Sequence, residues 1–195
     1  RKKKLPITTI LFALGFTKDK IIEKFYTTDK YIFDQNTKLW TTDFKPENFK
    51  RPIKLSYDLI DAKNNKKVLS KGEKLNIVIA KKLSEKGLKS ILINKEQLIG
   101  KYIAKDIKSS DGEVIVKTGF DITEEQLEKI INEKKDELYI VNIDPINKGP
   151  YILETLKIDK NSNKTEALND IYKVLRPGEA PSIEIAGEIF NNLYF

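Results

Sequence analysis

The chain of 195 residues contains no cysteine, no histidine and no methionine. Without cysteine there is no thiol nucleophile and no disulfide, and without histidine there is no imidazole for acid–base chemistry. The two absences together also remove the usual zinc ligands. Carboxylate or lysine chemistry stays formally open. Because nothing points to an oxidising compartment, we expect a cytoplasmic protein.

The missing methionine also bears on the ends of the chain. A complete translation product normally begins with methionine, whereas this chain begins with a basic run, Arg1, Lys2, Lys3 and Lys4. Residues 190–195 form an apolar helical pattern with no glycine cap or polar tail after it. We therefore expect a piece of a longer polypeptide. The sequence shows no signal peptide and no apolar run long enough for a membrane span.

Arginine is scarce, although the chain is basic. The formal net charge is +7, and only Arg1, Arg51 and Arg176 of the 36 basic residues are arginines. Lysine, asparagine and isoleucine are abundant throughout, as in proteins from AT-rich genomes, so the positive charge is weak evidence for a nucleic-acid partner. The rare arginines are better candidates for recognition, because a planar guanidinium donates several hydrogen bonds in a fixed geometry.

Two short helices are predicted at the start of the chain. Pro6 suits a first helical turn, and Gly15 suits the left-handed position that ends a helix. The first helix has an apolar stripe of Ile7, Ile10, Leu11 and Leu14. Thr17 can cap the second helix. Its residues predicted to face inward are Ile21, Ile22 and Phe25.

From about Tyr31 the pattern changes to extended segments. Residues 31–33 and 39–40 are apolar and are separated by a short polar stretch, which predicts a β-hairpin. An internal repeat follows, over about residues 54–93 and 101–141, with an offset of 47 residues. Each copy is predicted to run strand, tight turn, strand, glycine turn, helix, strand. Two copies are too few for a solenoid, so we predict a compact pseudo-symmetric α/β module.

Turn and cap residues support this interpretation of the repeat. Asn64-Asn65 and Asp111-Gly112 both tolerate the positive φ of a two-residue hairpin turn. Thr123 and Gln126 have the spacing of a capping box, and Gly87 suits the end of a helix.

The last part of the chain is predicted to begin with a strand over residues 151–158. A polar turn over residues 159–164 and a helix follow. The apolar face of that helix comprises Leu168, Ile171, Tyr172 and Leu175. The loop of residues 176–181 then breaks the chain, and Ser182 can cap a final helix. The fold class is therefore α+β, with helices at both ends and the repeat module between them.

No catalytic residue and no metal site is predicted. The stretch from Asp159 to Asp170 resembles a calcium loop, but Lys164 occupies the position that needs glycine, and a polar turn feeding a helix explains the pattern. The acidic pairs Glu124-Glu125 and Asp136-Glu137 suit solvated faces. The sequence contains neither common glycine-rich phosphate loop.

Two features do suggest binding. The basic run of residues 1–4 is either a solvated tail or a set of phosphate contacts. The loop of residues 176–181 holds two prolines and a glycine, so it is stiff and can present Arg176 and Glu179 as a recognition element. Alternatively, it is a simple turn between helices, with Arg176 capping the carbonyls of the preceding helix.

These two regions resemble the lobe of the bacterial DNA-directed RNA polymerase β subunit. The entry motif is Lys3-Lys4-Leu5-Pro6-Ile7-Thr8, followed by Leu14-Gly15. A second region of this chain resembles the segment with which the subunit returns through the lobe. Its matching residues are Gly149-Pro150-Tyr151-Ile152-x-Glu154-Thr155-Leu156, Ala167-Leu168, Ile171-Tyr172, Leu175-Arg176-Pro177-Gly178-Glu179 and Phe190-x-Asn192-Leu193-Tyr194-Phe195. Ala180 stands where the family usually has proline, and Tyr194 replaces a phenylalanine.

The resemblance implies a domain organisation. Residues 1–28 and 147–195 would form a discontinuous, mainly helical lobe domain. Residues 29–146 would form the inserted external domain, which carries the two repeats.

The resemblance also implies a function in transcription, with no membrane association. The lobe would line the downstream DNA cleft and contact non-template DNA through Arg176, Lys173 and Glu179, with the basic run of residues 1–4 on the same wall. Magnesium and the catalytic aspartates would lie elsewhere in this nucleotidyltransferase, so the fragment alone would be inactive and hold no cofactor. Its partners would be the β′, α and ω subunits, DNA, and a sigma factor or other regulators. The alternative from the residues alone is a stand-alone protein-interaction module built on the repeat.

Overall fold

The computed structural model describes residues 4–143 and 149–194. Within them the chain divides into two compact units. The first comprises the described parts of Arg1–Thr27, Thr118–Phe120 and Asn142–Phe195, and the second comprises Thr28–Lys117 and Asp121–Val141. Helices and antiparallel sheets are both present, which confirms the α+β class. The predicted lobe domain and inserted domain stay a prediction.

The first unit is built from short helices. These are α1 (Ile7–Ala13), α2 (Lys18–Phe25), α5 (Tyr151–Ile158), α6 (Lys164–Leu175) and α7 (Ile183–Tyr194). Helix α1 packs against α5 and α6, α2 packs against α5, and α6 packs against α7. Their buried side chains include Phe12, Ile21, Ile22, Leu153, Leu156, Leu168, Ile171, Tyr172 and Phe190.

The predicted apolar stripe of α1 is wrong. Ile7 and Leu14 are exposed, and the buried face consists of Thr8, Thr9, Phe12 and Ala13. Threonine can be buried here because each hydroxyl donates a hydrogen bond within the unit, as described below. In α2, Ile21 and Ile22 are buried as predicted, whereas Phe25 is exposed. Leu175, at the end of α6, is also exposed.

The strand predicted over residues 151–158 is also wrong, because these residues form helix α5. Leu153 and Leu156 are buried at helical spacing, and Pro150 occupies the N-cap position. The hydroxyl of Tyr26 donates to the carbonyl of Gly149 at 2.7 Å and accepts from the backbone N–H of Ile152 at 3.3 Å. Burial raises the pKa of that tyrosine. A tyrosine distant in sequence thus supports the start of α5.

The second unit contains a four-stranded sheet and three small strand pairs. The strands are β1 (Thr27–Asp34), β2 (Leu39–Asp43), β3 (Ile53–Lys54), β4 (Leu59–Ile60), β5 (Lys67–Leu69), β6 (Lys74–Leu75), β7 (Ser90–Ile93), β8 (Ile107–Lys108), β9 (Val114–Val116) and β10 (Glu137–Asn142). The larger sheet has the order β10-β1-β2-β7. The small pairs are β3 with β6, β4 with β5, and β8 with β9, all antiparallel.

The two copies of the repeat share the order strand, strand, helix, strand, as β4-β5-α3-β7 and β8-β9-α4-β10. Helix α3 (Ile77–Glu85) is followed 47 residues later by α4 (Glu124–Asn132), and the same offset relates β5 to β9. Asn65 and Gly112 both have positive φ, at 56° and 85°, as two-residue turns require. Thr123 and Gln126 form the predicted capping box.

Each copy contributes to its own hydrophobic cluster. One cluster contains Phe44, Leu59, Leu75, Ala80 and Leu88. The other includes Tyr31, Trp40, Leu127, Ile130 and Leu138. Burial in the second cluster raises the pKa of Tyr31 to about 12. No helix of the described residues has the length and hydropathy needed to cross a membrane.

Candidate functional site

Helix α6 carries the predicted recognition loop at its C-terminal end and is firmly capped at its other end. The side chain of Asn163 accepts a hydrogen bond from the N–H of Glu166 at 3.0 Å. The Glu166 carboxylate in turn accepts from the N–H and hydroxyl of Ser162, at 2.8 and 2.9 Å, and these bonds lower its pKa. Reciprocal capping of this kind stabilises the first turn, so the helix is a rigid support for the loop.

The loop after α6 turns sharply and is exposed. The N–H of Arg176 donates to the carbonyl of Tyr172 at 2.8 Å, which closes the last turn. Gly178 has φ of 91°, a conformation that side chains with a Cβ rarely adopt. Residues 176–180 are all exposed. The predicted exposed turn is therefore present, and its stiffness stays a prediction.

The charged side chains of the loop are paired with each other and with α6. The Tyr172 hydroxyl donates to Glu179 Oε2 at 2.8 Å, and Arg176 Nη1 lies 3.5 Å from the same oxygen. Hydrogen bonding to this carboxylate raises the pKa of Tyr172. The sequence predicted that the loop presents a guanidinium and a carboxylate. It missed the tyrosine that holds the carboxylate, although Tyr172 is seven residues earlier, on the last turns of the helix.

The pairing leaves Arg176 available to a ligand. Its side chain is 54% exposed and that of Glu179 is 55% exposed. Ion pairs at such exposed positions contribute about 0–1 kcal/mol, so a phosphate can replace the carboxylate at little cost. Lys173 lies one helical turn before the loop and is exposed. Arg176, Lys173 and Glu179 therefore share the C-terminal end of α6, whereas their role in DNA binding stays a prediction.

The basic run at the start of the chain falls almost wholly outside the described residues. Arg1, Lys2 and Lys3 are not among them, and Lys4 is exposed just before α1. Its predicted contacts with DNA remain a prediction.

A buried polar cluster in the first unit was not predicted from the sequence. Asp159 Oδ2 accepts hydrogen bonds from the hydroxyls of Thr8, at 2.5 Å, and Thr9, at 3.0 Å. Its Oδ1 accepts from the N–H and the side-chain amide of Asn161, at 3.0 and 2.9 Å. These bonds tie α1 to the turn that leads into α6, and hence to the support of the Arg176 loop. The only signal in the sequence was a pair of adjacent threonines in an otherwise apolar helix.

The acidic pairs considered for catalysis are either exposed or bonded to neighbouring side chains. Glu124 and Glu125 are exposed in the first turn of α4. Asp136 accepts from the side-chain amide of Gln35 at 2.9 Å, and Glu137 pairs with Lys30 at 2.6 Å. Within residues 4–143 and 149–194, no group of three or more acidic side chains could hold a metal ion.

The fold and the site define an α+β segment that presents charged side chains on an exposed loop. Comparison with known proteins shows what the whole chain is similar to. The chain is 40% identical to the DNA-directed RNA polymerase subunit beta of Rhizobium leguminosarum bv. trifolii, 41% identical to that of Agrobacterium fabrum and 35% identical to that of Caulobacter vibrioides. Each alignment covers all of this chain and 14% of the relative.

The chain is therefore similar, over its whole length, to one segment of the RNA polymerase β subunit, which confirms the resemblance to that subunit, whereas the assignment to its lobe stays a prediction. It spans about 14% of the length of these curated relatives. No family model matches the chain.

Proposed function

We propose that this chain is the non-catalytic lobe segment of a DNA-directed RNA polymerase β subunit and guides DNA during transcription. The observation that supports this most strongly is the alignment of the entire chain, at 35–41% identity, with proteins named as that subunit. The parent enzyme would be a nucleotidyltransferase whose magnesium-binding residues lie elsewhere. Its other subunits β′, α and ω would be the permanent partners.

The DNA-guiding role is assigned to the C-terminal end of α6. Arg176 and Lys173 are exposed there on a helix that is capped at its start and packed against α1 and α7. A guanidinium held on a rigid element contacts phosphates with little loss of side-chain freedom. Glu179 and Tyr172 would position Arg176 in the absence of DNA and release it to the non-template strand. These contacts would be salt-sensitive and weakly specific for sequence.

The second unit is assigned to regulatory contacts. Its two hydrophobic clusters give it a core of its own, and its surface carries many charged side chains. A sigma factor or another regulator of transcription is the proposed class of protein partner.

The test replaces Arg176 with alanine in the intact polymerase that contains this chain. Removing one phosphate contact is expected to shorten the lifetime of the promoter open complex severalfold and to change the rate of promoter escape. The shortening should grow larger as the salt concentration falls, because each phosphate contact contributes more when screening is weaker. Open-complex lifetimes and escape rates are measured by single-turnover transcription.

Arg51→Ala is the matched control, because it removes an exposed arginine from the second unit. It is expected to leave both quantities unchanged. An unchanged open complex in Arg176→Ala would show that the loop does not guide DNA. Equal effects of the two substitutions would assign the effect to overall charge.

A further inference from the structure

The two copies of the repeat share their elements but carry opposite charge. Residues 54–93 contain ten lysines and four acidic residues, a net charge of +6, whereas residues 101–141 contain seven lysines and ten acidic residues, a net charge of −3. Both copies have the same lysine-rich background. The second copy is therefore an internal control for composition, and general abundance of lysine does not explain the charge of the first.

The difference arises at matching positions. Five lysines of the first copy have an acidic residue 47 positions later in the second. The pairs are Lys66 and Glu113, Lys74 and Asp121, Lys81 and Glu128, Lys86 and Glu133, and Lys89 and Asp136.

The lysines of the first copy are free to bind an external anion. All ten are exposed, and among the described residues only Lys67 forms an ion pair, with Asp58 at 3.5 Å. Lys54 lies directly opposite Lys74 across the β3–β6 pair. Like charges in that arrangement destabilise a strand pair, so the fold itself gains nothing from them.

The acidic residues of the second copy are used in part within their own unit. Glu133 accepts hydrogen bonds from the N–H and hydroxyl of Ser110, at 3.0 and 2.5 Å. Glu137 pairs with Lys30 at 2.6 Å. The basic surface of the first copy is thus less neutralised than the acidic surface of the second, and this favours an external polyanion over a second copy of the chain.

We propose that the first copy of the repeat binds the phosphate backbone of double-stranded DNA without reading its sequence. The copy contains no arginine for bidentate contacts with bases, and Tyr57 is its only aromatic residue. Single-stranded nucleic acid is usually bound on several aromatic platforms, so this composition favours duplex phosphates. The inference rests on the proposed function only in that a polymerase segment works beside duplex DNA.

The test measures binding of the 195-residue chain to a labelled duplex of about 30 base pairs, at salt concentrations from about 50 to about 200 mM. The unaltered chain is expected to bind with a Kd of about 10⁻⁴ to 10⁻⁶ M, as non-specific complexes do. The triple variant Lys66→Gln, Lys81→Gln and Lys86→Gln should bind about tenfold more weakly at low salt. The slope of log K against log salt should fall by about 0.9 for each phosphate that the variant no longer neutralises.

The matched control is Lys108→Gln, Lys117→Gln and Lys129→Gln, which makes the same change of net charge with exposed lysines of the second copy. It is expected to change the Kd by less than twofold. The proposal is overturned if both triple variants weaken binding equally, or if the unaltered chain does not bind duplex. Tighter binding to a single strand or to RNA of the same length would also overturn it. So would a first-copy variant that alters self-association in sedimentation and leaves duplex binding intact.

This outcome is separable from the test of the α6 loop. Arg176→Ala should leave duplex binding by the chain within about twofold, since a single phosphate contact carries a small share of the salt-dependent affinity. Failure of the chain to bind duplex would overturn the role of the first copy and leave the role of Arg176 standing. An unchanged open-complex lifetime in Arg176→Ala would overturn the role of Arg176 and leave the role of the first copy standing.

Discussion

The two units of the chain differ in what they leave uncovered. Among the described residues, the first unit exposes many large apolar side chains, including Ile7, Phe25, Tyr151, Ile158, Leu175, Ile183, Leu193 and Tyr194. The second unit exposes fewer, namely Ile32, Ile53, Tyr57, Val78 and Ile99, and most of its surface charge is lysine in one copy of the repeat and acid in the other. Exposed apolar side chains in such numbers are typical of protein interfaces, and free lysines are typical of anion-binding surfaces.

The units also differ in how their interiors are held together. The second unit buries two apolar clusters, and the first combines its buried apolar side chains with a carboxylate that accepts hydrogen bonds from two threonine hydroxyls. Apolar packing tolerates little loss of volume, and buried polar groups tolerate no loss of a partner. Truncation of an apolar side chain should therefore act through a cavity, whereas loss of the buried carboxylate of the first unit should act through unsatisfied polar groups.

The largest effect is expected from Leu127→Ala in the second unit. This side chain is 1% exposed within the cluster that contains Trp40. Removing it leaves a cavity, so the free energy of unfolding should fall by about 2–5 kcal/mol. Trp40 is the only tryptophan and lies in the same cluster, so urea unfolding followed by its fluorescence reports the change. Val78→Ala, at a 57% exposed position, is the control and should cost less than about 0.5 kcal/mol.

A smaller effect is expected from Asp159→Ala in the first unit. The substitution leaves the hydroxyls of Thr8 and Thr9 and the backbone N–H of Asn161 without their acceptor, which should cost about 1–3 kcal/mol. Amide hydrogen exchange should speed up in α1 and α6 and stay unchanged in α4. Glu188→Ala, at an exposed position of α7, is the control. Protection that falls equally in both units would mean that the polar cluster does not act locally.

The smallest effect is expected from removing the helix cap in either copy of the repeat. Thr123 caps α4 and Asn76, 47 residues earlier, caps α3, each by accepting a hydrogen bond from a backbone N–H. Replacing either with alanine should lower the free energy of unfolding by about 0.5–2 kcal/mol. Thr123→Ala should cost more, because it also breaks the capping box with Gln126. Urea unfolding of both variants measures the difference, and a larger decrease in Asn76→Ala would contradict the expected order.

Much of the local structure could be predicted from the sequence. The left-handed glycine at residue 15, the cap at Thr17 and the capping box at Thr123 are all present. Such features depend on residues within a few positions of each other, and their physical causes act locally. The offset of 47 residues between the copies was visible for a related reason, because turn and cap residues recur at matching positions of the two copies.

The candidate site was predicted in part. The exposed loop with Arg176 and Glu179 was identified from its prolines, its glycine and the scarcity of arginine, and Lys173 was added only by the resemblance. The hydrogen bond from Tyr172 to Glu179 was not, because tyrosine on an apolar helical face indicates a core residue before it indicates a partner for a loop carboxylate.

What the sequence alone determined is therefore the set of turns, caps and helical or strand periods that neighbouring residues dictate. The tertiary structure decided which faces are buried. It made residues 151–158 a helix, because Leu153 and Leu156 pack among the other helices of the first unit. It buried Thr8 and Thr9 in place of Ile7 and Leu14, because Asp159 accepts their hydroxyls from about 150 residues away. A partner that distant cannot be identified from a local pattern.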